Sequence, residues 1–273
     1  YLRRDTKMET VSGKILSDDM EIKELVSKNE GEKVKTHGMI YSIKPMGDFA
    51  FIILRKRDGL VQCVYEKGIS KFDLSDIGCE YSVEVEGTLK KDDRSPNGFE
   101  IHAETIDIIT KPHDEPAINI SKRKLGLSLE KDIELRPLTL RNNQKRAVFK
   151  IQEGIVKGFR KYMEDNGFTE IHTPKIVATG AEGGANIFKL DYFGKKAFLA
   201  QSPQFYKQTL VGVYEKVFEV APVFRAEKHN TTRHLNEYVG LDFEMGFIKD
   251  FREIMEVETG AVKSMISTLK NEY

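Results

Sequence analysis

The 273 residues contain no membrane-type segment, no secretory leader and no cysteine cluster. Nowhere do apolar residues run for the ~18 positions a bilayer-spanning helix needs, so a membrane protein of that kind is not expected. The opening YLRRDTKMET carries charge but no apolar stretch of the sort a leader requires. It begins with Tyr1 rather than Met, and the chain is read as a piece of a longer one. Cysteine is scarce. Cys63 and Cys79 lack metal-site spacing and are expected to be reduced thiols in the core of a cytoplasmic protein. Net charge is also missing, since 43 Lys and Arg balance 43 Asp and Glu. The total therefore does not advertise nucleic-acid binding, although a local patch can carry it. Internal repeats and low-complexity stretches are absent. What is there is a globular balance, 40% hydrophobic and 32% charged, with length enough for two domains.

The first half reads as β. Ile22, Leu25 and Val26 share a face of a short helix within 18–28, and five strand-like runs follow near 33–43, 48–55, 59–66, 80–90 and 99–109. Asp58-Gly59 marks a hairpin between the second and third. Tyr81, Val83 and Val85 alternate with Ser82, Glu84 and Glu86, as in a half-buried antiparallel strand. Residues 94–98, RSPNG, form a turn cluster before the fifth run, and 68–77 are expected to hold a short helix. Five strands with a small helix after the third is the OB pattern, with another small barrel as the alternative. We expect an OB domain over 1–111, a Pro-interrupted, charged hinge over 112–132, and a second domain over 133–273.

The second half mixes helix and strand. An amphipathic helix is predicted over 142–166, with Val148, Ile151, Ile155, Phe159 and Tyr162 at helical spacing and Asn166-Gly167 as its stop. FTEIH before Pro174 reads as a strand. Further strands are expected at 196–200, 216–224 and 237–248, with helices at 203–214 and from 250 onward. The adjacent strands within 216–248 imply an antiparallel hairpin and an α+β domain with an antiparallel sheet.

Chemistry concentrates in VFEVAPVFRAEKHNTTRHLNEYVGLDFEMGF, residues 217–247. Two apolar strands flank a loop rich in hydrogen-bonding groups. Arg225 in such a loop is suited to phosphate, because its planar fork keeps its charge and donates in pairs. Taken alone the loop also fits a solvated surface. Asp242 and Glu244, two apart on one face of an apolar strand, need a cationic partner if buried; a substrate ammonium or Arg225 would supply one.

FRAE, TRHLNE and GLDFEMGF together are similar to motif 2 of the class II aminoacyl-tRNA synthetases, in the aspartyl form. FTEIHTP and the helix before it resemble motif 1, AEGGAN resembles the loop that closes over the amino acid, and FLAQSPQFYKQ resembles the aspartate-recognition helix. The resemblance covers about residues 33–270 and is nearer the archaeal and eukaryotic type. It implies that Arg225 holds the ATP α-phosphate and the substrate carboxylate. Glu227 would contact the adenine amino group, Arg233, His234 and Leu235 would lie near the nucleotide, and Tyr238 would stack on adenine. Glu182 would face the substrate ammonium, and Asp242 joins the aspartate-binding set. Gln204 and Lys207, three apart on a helix, share a face. A cationic Lys207 can pair with a side-chain carboxylate but offers no acceptor to an amide, which favours aspartate over asparagine.

In the OB domain the resemblance assigns anticodon contacts to Phe51, Gln62 and Glu100. An aromatic on a strand face can stack an unpaired base, and Gln or Glu can bond base edges. Phe51 is equally readable as core, and Phe49 competes with it for the stacking role. The resemblance further implies ATP as substrate with Mg²⁺ at its phosphates, and tRNA(Asp), with tRNA(Asn) left open near Met39 and the 91–98 turn. It implies a homodimer through the motif 1 helix and the Pro174 strand. Nothing after Glu244 supplies the family's motif 3 with its γ-phosphate Arg, nor its metal-binding Glu and Ser. No metal ligands are assigned, and this stretch alone is expected to be inactive. An asparaginyl enzyme and a non-catalytic tRNA-binding module stand as alternatives.

Overall fold

The computed structural model describes residues 20–181, 186–229, 231 and 234–273. The chain divides between Lys145 and Arg146 into two compact units.

The first unit opens with helix α1 (Ile22–Val26), followed by strands β1 (Lys33–Pro45), β2 (Phe49–Arg55), β3 (Leu60–Glu66), β4 (Ser82–Lys91) and β5 (Phe99–Thr110). These close a barrel in the order β1-β2-β3-β5-β4, with β3 and β5 parallel. The period-2 pattern explains why. Ala50, Ile52 and Leu54 of β2, Val61 and Cys63 of β3, Val83, Val85 and Leu89 of β4, and Phe99, Ile101 and Ala103 of β5 are all buried, and the residues between them turn outward. Closure brings backbones together at Gly87, beside an irregularity in the β4–β5 register. A Cβ there would stand 2.2 Å from the His102 carbonyl oxygen, so only glycine fits.

The short helix expected over 68–77 is reduced to one 3₁₀ turn, Leu74–Asp76. Ser70 N–H still makes a helical bond to the Glu66 carbonyl at 2.9 Å, but the next residues are tied to β5. Lys71 N–H donates to the Glu104 carbonyl at 2.8 Å, and the Ser70 hydroxyl donates to the Ala103 carbonyl at 2.7 Å. Asp73 then caps the turn by accepting from Ser75 N–H at 2.8 Å. Beyond the barrel, buried Ile120 is fixed through its carbonyl, which accepts from the Tyr41 hydroxyl at 2.9 Å and the Asn142 amide at 2.7 Å. Two short helices not anticipated from the sequence, α2 (Leu129–Glu134) and α3 (Arg136–Thr139), follow.

Helix α4 (Asn143–Asp165) leads into the second unit, which holds β6 (Thr169–Glu170), β7 (Ile176–Val177), β8 (Lys189–Tyr192), β9 (Lys195–Leu199), α5 (Gln204–Tyr214), β10 (Lys216–Phe224), β11 (Glu237–Met245) and α6 (Arg252–Glu272). β11, β10 and β6 form one sheet and β7, β9 and β8 a smaller one. β10 and β11 are antiparallel, as expected; β6 is shorter than FTEIH suggested and runs parallel to β10. Phe218 of β10 packs with Phe159 and Met163 of α4 and Ala261 of α6, joined by Val220, Leu241 and Phe243. Burying a side chain such as Phe218 contributes about 2 kcal/mol. Gly158 lets α4 and α6 pass closely, because a Cβ there would meet the Met265 Cα at 2.7 Å.

The apolar stripe of α4 is not uniformly core. Phe159 is buried, but Val148 and Ile151 are 63% and 49% exposed, so the first turns of the stripe lie open. Cysteine also departs from expectation. Cys63 is buried inside the barrel, whereas Cys79 is exposed. Burial pushes the Cys63 thiol up to about 12, and burial also raises Cys79, though its surface position leaves it reachable. A disulfide-exchange reagent under native conditions should therefore label Cys79 slowly and spare Cys63 until the protein unfolds. Native labelling of Cys63, read by peptide mass spectrometry, would contradict this packing. No helix among the described residues is long and apolar enough to cross a membrane.

Candidate functional site

The two faces of the β10–β11 hairpin have opposite characters because partners directly across a sheet share a face. Val217, Glu219, Ala221 and Val223 stand opposite Glu244, Asp242, Gly240 and Tyr238. The intervening residues, led by Phe218 and Phe243, belong to the core under the helices. Three acids thus collect on the side away from that core.

Each acid finds a cation. Lys207 of α5, 4% exposed, is bonded to the Asp242 carboxylate and reaches Glu244 at 3.1 Å. Its third contact is the Phe243 carbonyl at 3.3 Å. Gln204, one turn earlier, donates to Glu244 at 3.3 Å. The partner of Asp242 and Glu244 is therefore Lys207, not Arg225 as the sequence allowed. Lys207 lies on α5 and is brought across to β11 by the fold, which is why spacing along the chain did not reveal the pair. Glu219 is 2% exposed. It accepts from Thr173 N–H at 2.6 Å, from the Thr173 hydroxyl at 2.9 Å and from Lys175 at 2.8 Å.

At the other end of this face, Arg225 extends the ladder by donating its N–H to the Asn236 carbonyl at 3.0 Å. Its guanidinium stands 5.9 Å from the centre of the Tyr238 ring. Tyr238 and Asp242 are four residues apart on one strand face, a separation of about 13 Å at ~3.3 Å per residue. Arg225 and Lys207 thus serve one continuous strip. Glu227 turns back, its N–H donating to the Arg225 carbonyl at 2.8 Å. His234 is held by Thr231 at 2.7 Å, and Leu235 is 56% exposed. Glu182 and Arg233 lie outside the described residues.

A second polar cluster occupies the outer surface of the barrel. Phe51 is half-buried and makes an edge contact with Phe49 at 5.5 Å; it is not among the barrel's core residues. Ile53 pairs with Gln62, and Gln62 pairs with Glu100, so Phe51, Gln62 and Glu100 share one face. Gln62 donates to Ser95 Oγ at 2.9 Å and to Glu100 Oε2 at 3.0 Å. His102 Nε2 lies 2.9 Å from Glu100 Oε1, while its Nδ1 meets Glu66.

Residues 128–273 match the class II tRNA synthetases (D, K and N). The chain belongs to that family. Residues 34–109 match the OB-fold nucleic acid binding domain. Similar relatives include the aspartate–tRNA(Asp/Asn) ligase of Deinococcus radiodurans, 43% identical over 243 residues, which are 89% of this chain and 54% of the relative. The enzyme of that name from Saccharolobus solfataricus is 40% identical, over 92% of this chain and 58% of its own. The chain thus spans somewhat over half the length of the curated relatives it matches. Among solved structures, the Pyrococcus horikoshii asparaginyl-tRNA synthetase complexed with asparaginyl-adenylate has a TM-score of 0.84 at 33% identity, covering 94% of this chain and 59% of that one. The Entamoeba histolytica aspartyl-tRNA synthetase has a TM-score of 0.74 at 28% identity, over 93% and 56%.

The sequence reading missed Glu219 with Thr173 and Lys175, and Ser95, Glu66 and His102 on the barrel. A signal for Glu219 existed: it is an acid inside VFEVAPVF, the same anomaly that marked Asp242. His102 carried none, because its partners lie on β3 and on its own strand two residues away.

Proposed function

We propose that the protein joins L-aspartate to tRNA in two steps. The aspartate α-carboxylate attacks the α-phosphorus of ATP, giving aspartyl-adenylate and pyrophosphate. A terminal ribose hydroxyl of the tRNA then attacks the aspartyl carbonyl and AMP leaves. Neither step needs a nucleophile from the protein, so positioning and charge stabilisation are its contribution.

The observation that carries the reading is buried Lys207, an ammonium held among Asp242, Glu244 and the Phe243 carbonyl. The longest contact, to the carbonyl at 3.3 Å, is the one a substrate side-chain carboxylate would replace. Asp242 would then receive the substrate ammonium, with Gln204 beside it, and Glu182 would face the same ammonium. Arg225 would hold the α-phosphate and α-carboxylate. Tyr238 would stack on adenine, Glu227 would contact its amino group, and Arg233, His234 and Leu235 would line the nucleotide.

Among the described residues no group of three or more His, Cys, Asp or Glu is arranged to hold a metal. The carboxylates of the strip are already matched by Lys207 and Lys175. These residues do not fit a protein-held Mg²⁺; in this reading the ion enters as part of the MgATP substrate. On the barrel, Phe51, Gln62 and Glu100 would take an unpaired anticodon base. The relatives named for tRNA(Asp/Asn) support tRNA(Asp) and tRNA(Asn) as joint substrates. The open turns of α4 with Pro174 would bury against a second copy, and free Cys63 and Cys79 suit a reducing cytoplasm.

The likeness to an asparaginyl enzyme gives a second reading. ATP–pyrophosphate exchange driven by aspartate, asparagine or lysine, measured on the natural protein, separates them. Aspartate alone should drive exchange. Exchange with asparagine alone selects the second reading, and silence throughout selects a non-catalytic tRNA-binding module.

A further inference from the structure

We infer that His102, with Ser95, is a positioning residue that fixes the hydrogen-bonding sense of the barrel's RNA face, making Gln62 an acceptor toward the base it meets. The inference rests on the reading of that face as an anticodon platform and adds residues and a base class to it.

Gln62 can turn either end of its amide outward, and the two ends select opposite bases. Its neighbours remove the choice. Glu100 as a carboxylate only accepts, so the Gln62 atom 3.0 Å from Oε2 must be the NH₂ group. The second N–H goes to Ser95 Oγ at 2.9 Å. Ser95 in turn donates its hydroxyl hydrogen to Glu100 Oε2 at 3.2 Å, leaving its oxygen to accept from Gln62. Both amide hydrogens are thus committed, and the group left for a ligand is the carbonyl oxygen.

Gln62 keeps this orientation only while Glu100 stays where it is. His102 does that from the neighbouring position on the same strand face. Its Nε2 faces Glu100 Oε1 at 2.9 Å while Nδ1 faces Glu66, so the ring is braced between two carboxylates. The side chain is only 19% exposed. Without it, Glu100 would lose its second anchor and could swing toward solvent, freeing Gln62 to flip.

An acceptor at the centre of the platform discriminates by chemistry. Uracil and guanine carry an N–H at the middle of the pairing edge; cytosine and adenine carry a bare nitrogen acceptor there. The fixed Gln62 oxygen favours the first pair and repels the second.

The test is binding of short RNA hairpins to the whole chain, with each of the four bases placed in turn at each anticodon position. The wild type should prefer uracil and guanine over cytosine and adenine at one position. His102→Ala should reduce that preference about tenfold, the order of a hydrogen bond to a charged group, while binding elsewhere on the hairpin and the melting temperature stay nearly unchanged. Glu66→Gln, which keeps the ring but loosens its brace, should give a smaller loss in the same direction and serves if His102→Ala fails to fold. The double variant with Gln62→Ala should be no less selective than Gln62→Ala alone. If Gln62→Ala abolishes the preference and neither His102→Ala nor Glu66→Gln alters it, the positioning role is wrong. If Gln62→Ala also leaves it unchanged, the platform reading itself fails.

Discussion

Lys207→Leu is expected to lower aspartate-dependent pyrophosphate exchange by about a hundredfold or more, since truncating one member of a buried charge pair typically costs about 2–5 kcal/mol and every ~1.4 kcal/mol is tenfold. The same change should destabilise the second unit by about 3–5 kcal/mol, because Asp242 and Glu244 lose the cation that holds them. These effects have different origins and can be separated. Adding Glu244→Gln removes one stranded charge and should return part of the lost melting temperature. It should not return aspartate activation, because no cation is left for the substrate's side-chain carboxylate. Thermal unfolding and exchange measured on the single and double variants make the comparison. Recovery of both together would mean that Lys207 serves packing only, and undiminished aspartate activation in Lys207→Leu would remove it as the selector.

Much of this molecule was legible because its signals are local. The β-strand alternation that placed Val83 and Val85 inward needs only neighbouring residues, and the barrel strands lie within a few positions of those expected. Asp242 and Glu244 announced themselves as acids in an apolar strand, and the hairpin that carries them formed as read. What the chain hid is whatever depends on partners distant in sequence. Lys207 was visible as a candidate, but its bond to Asp242, 35 residues on, was not. The helix expected after β3 stops short for the same reason: the Lys71 N–H and the Ser70 hydroxyl donate to β5. Val148 and Ile151 show the limit of periodicity, which identifies an apolar face without saying whether this chain covers it.

Glu80→Gln should destabilise the first unit by about 3 kcal/mol, the order expected when one partner of a buried ion pair is neutralised. Glu80 accepts from Arg55 at 2.7 Å and 3.1 Å through its two oxygens and from Arg141 at 2.6 Å. Its side chain is 1% exposed and that of Arg55 only 7%, so an amide would leave buried positive charge facing a weak dipole. Charge rather than shape is being removed, since Gln matches Glu in size and both would have to accept the left-handed φ of +67° at this position. Acid titration supplies the second readout. Burial raises the Glu80 carboxyl, but the bonds to Arg55 and Arg141 more than offset it, and the net value lies below the ordinary 4.5. A carboxyl depressed by folding stabilises the protein above its unfolded value, and that contribution fades as pH falls through the folded one. The wild-type first unit should therefore lose stability below about pH 4.5, the unfolded-state range, more steeply than Glu80→Gln does, and the two curves should converge at low pH. Parallel acid limbs would show that the Arg55–Glu80–Arg141 cluster is not what ties this unit's stability to its carboxylates.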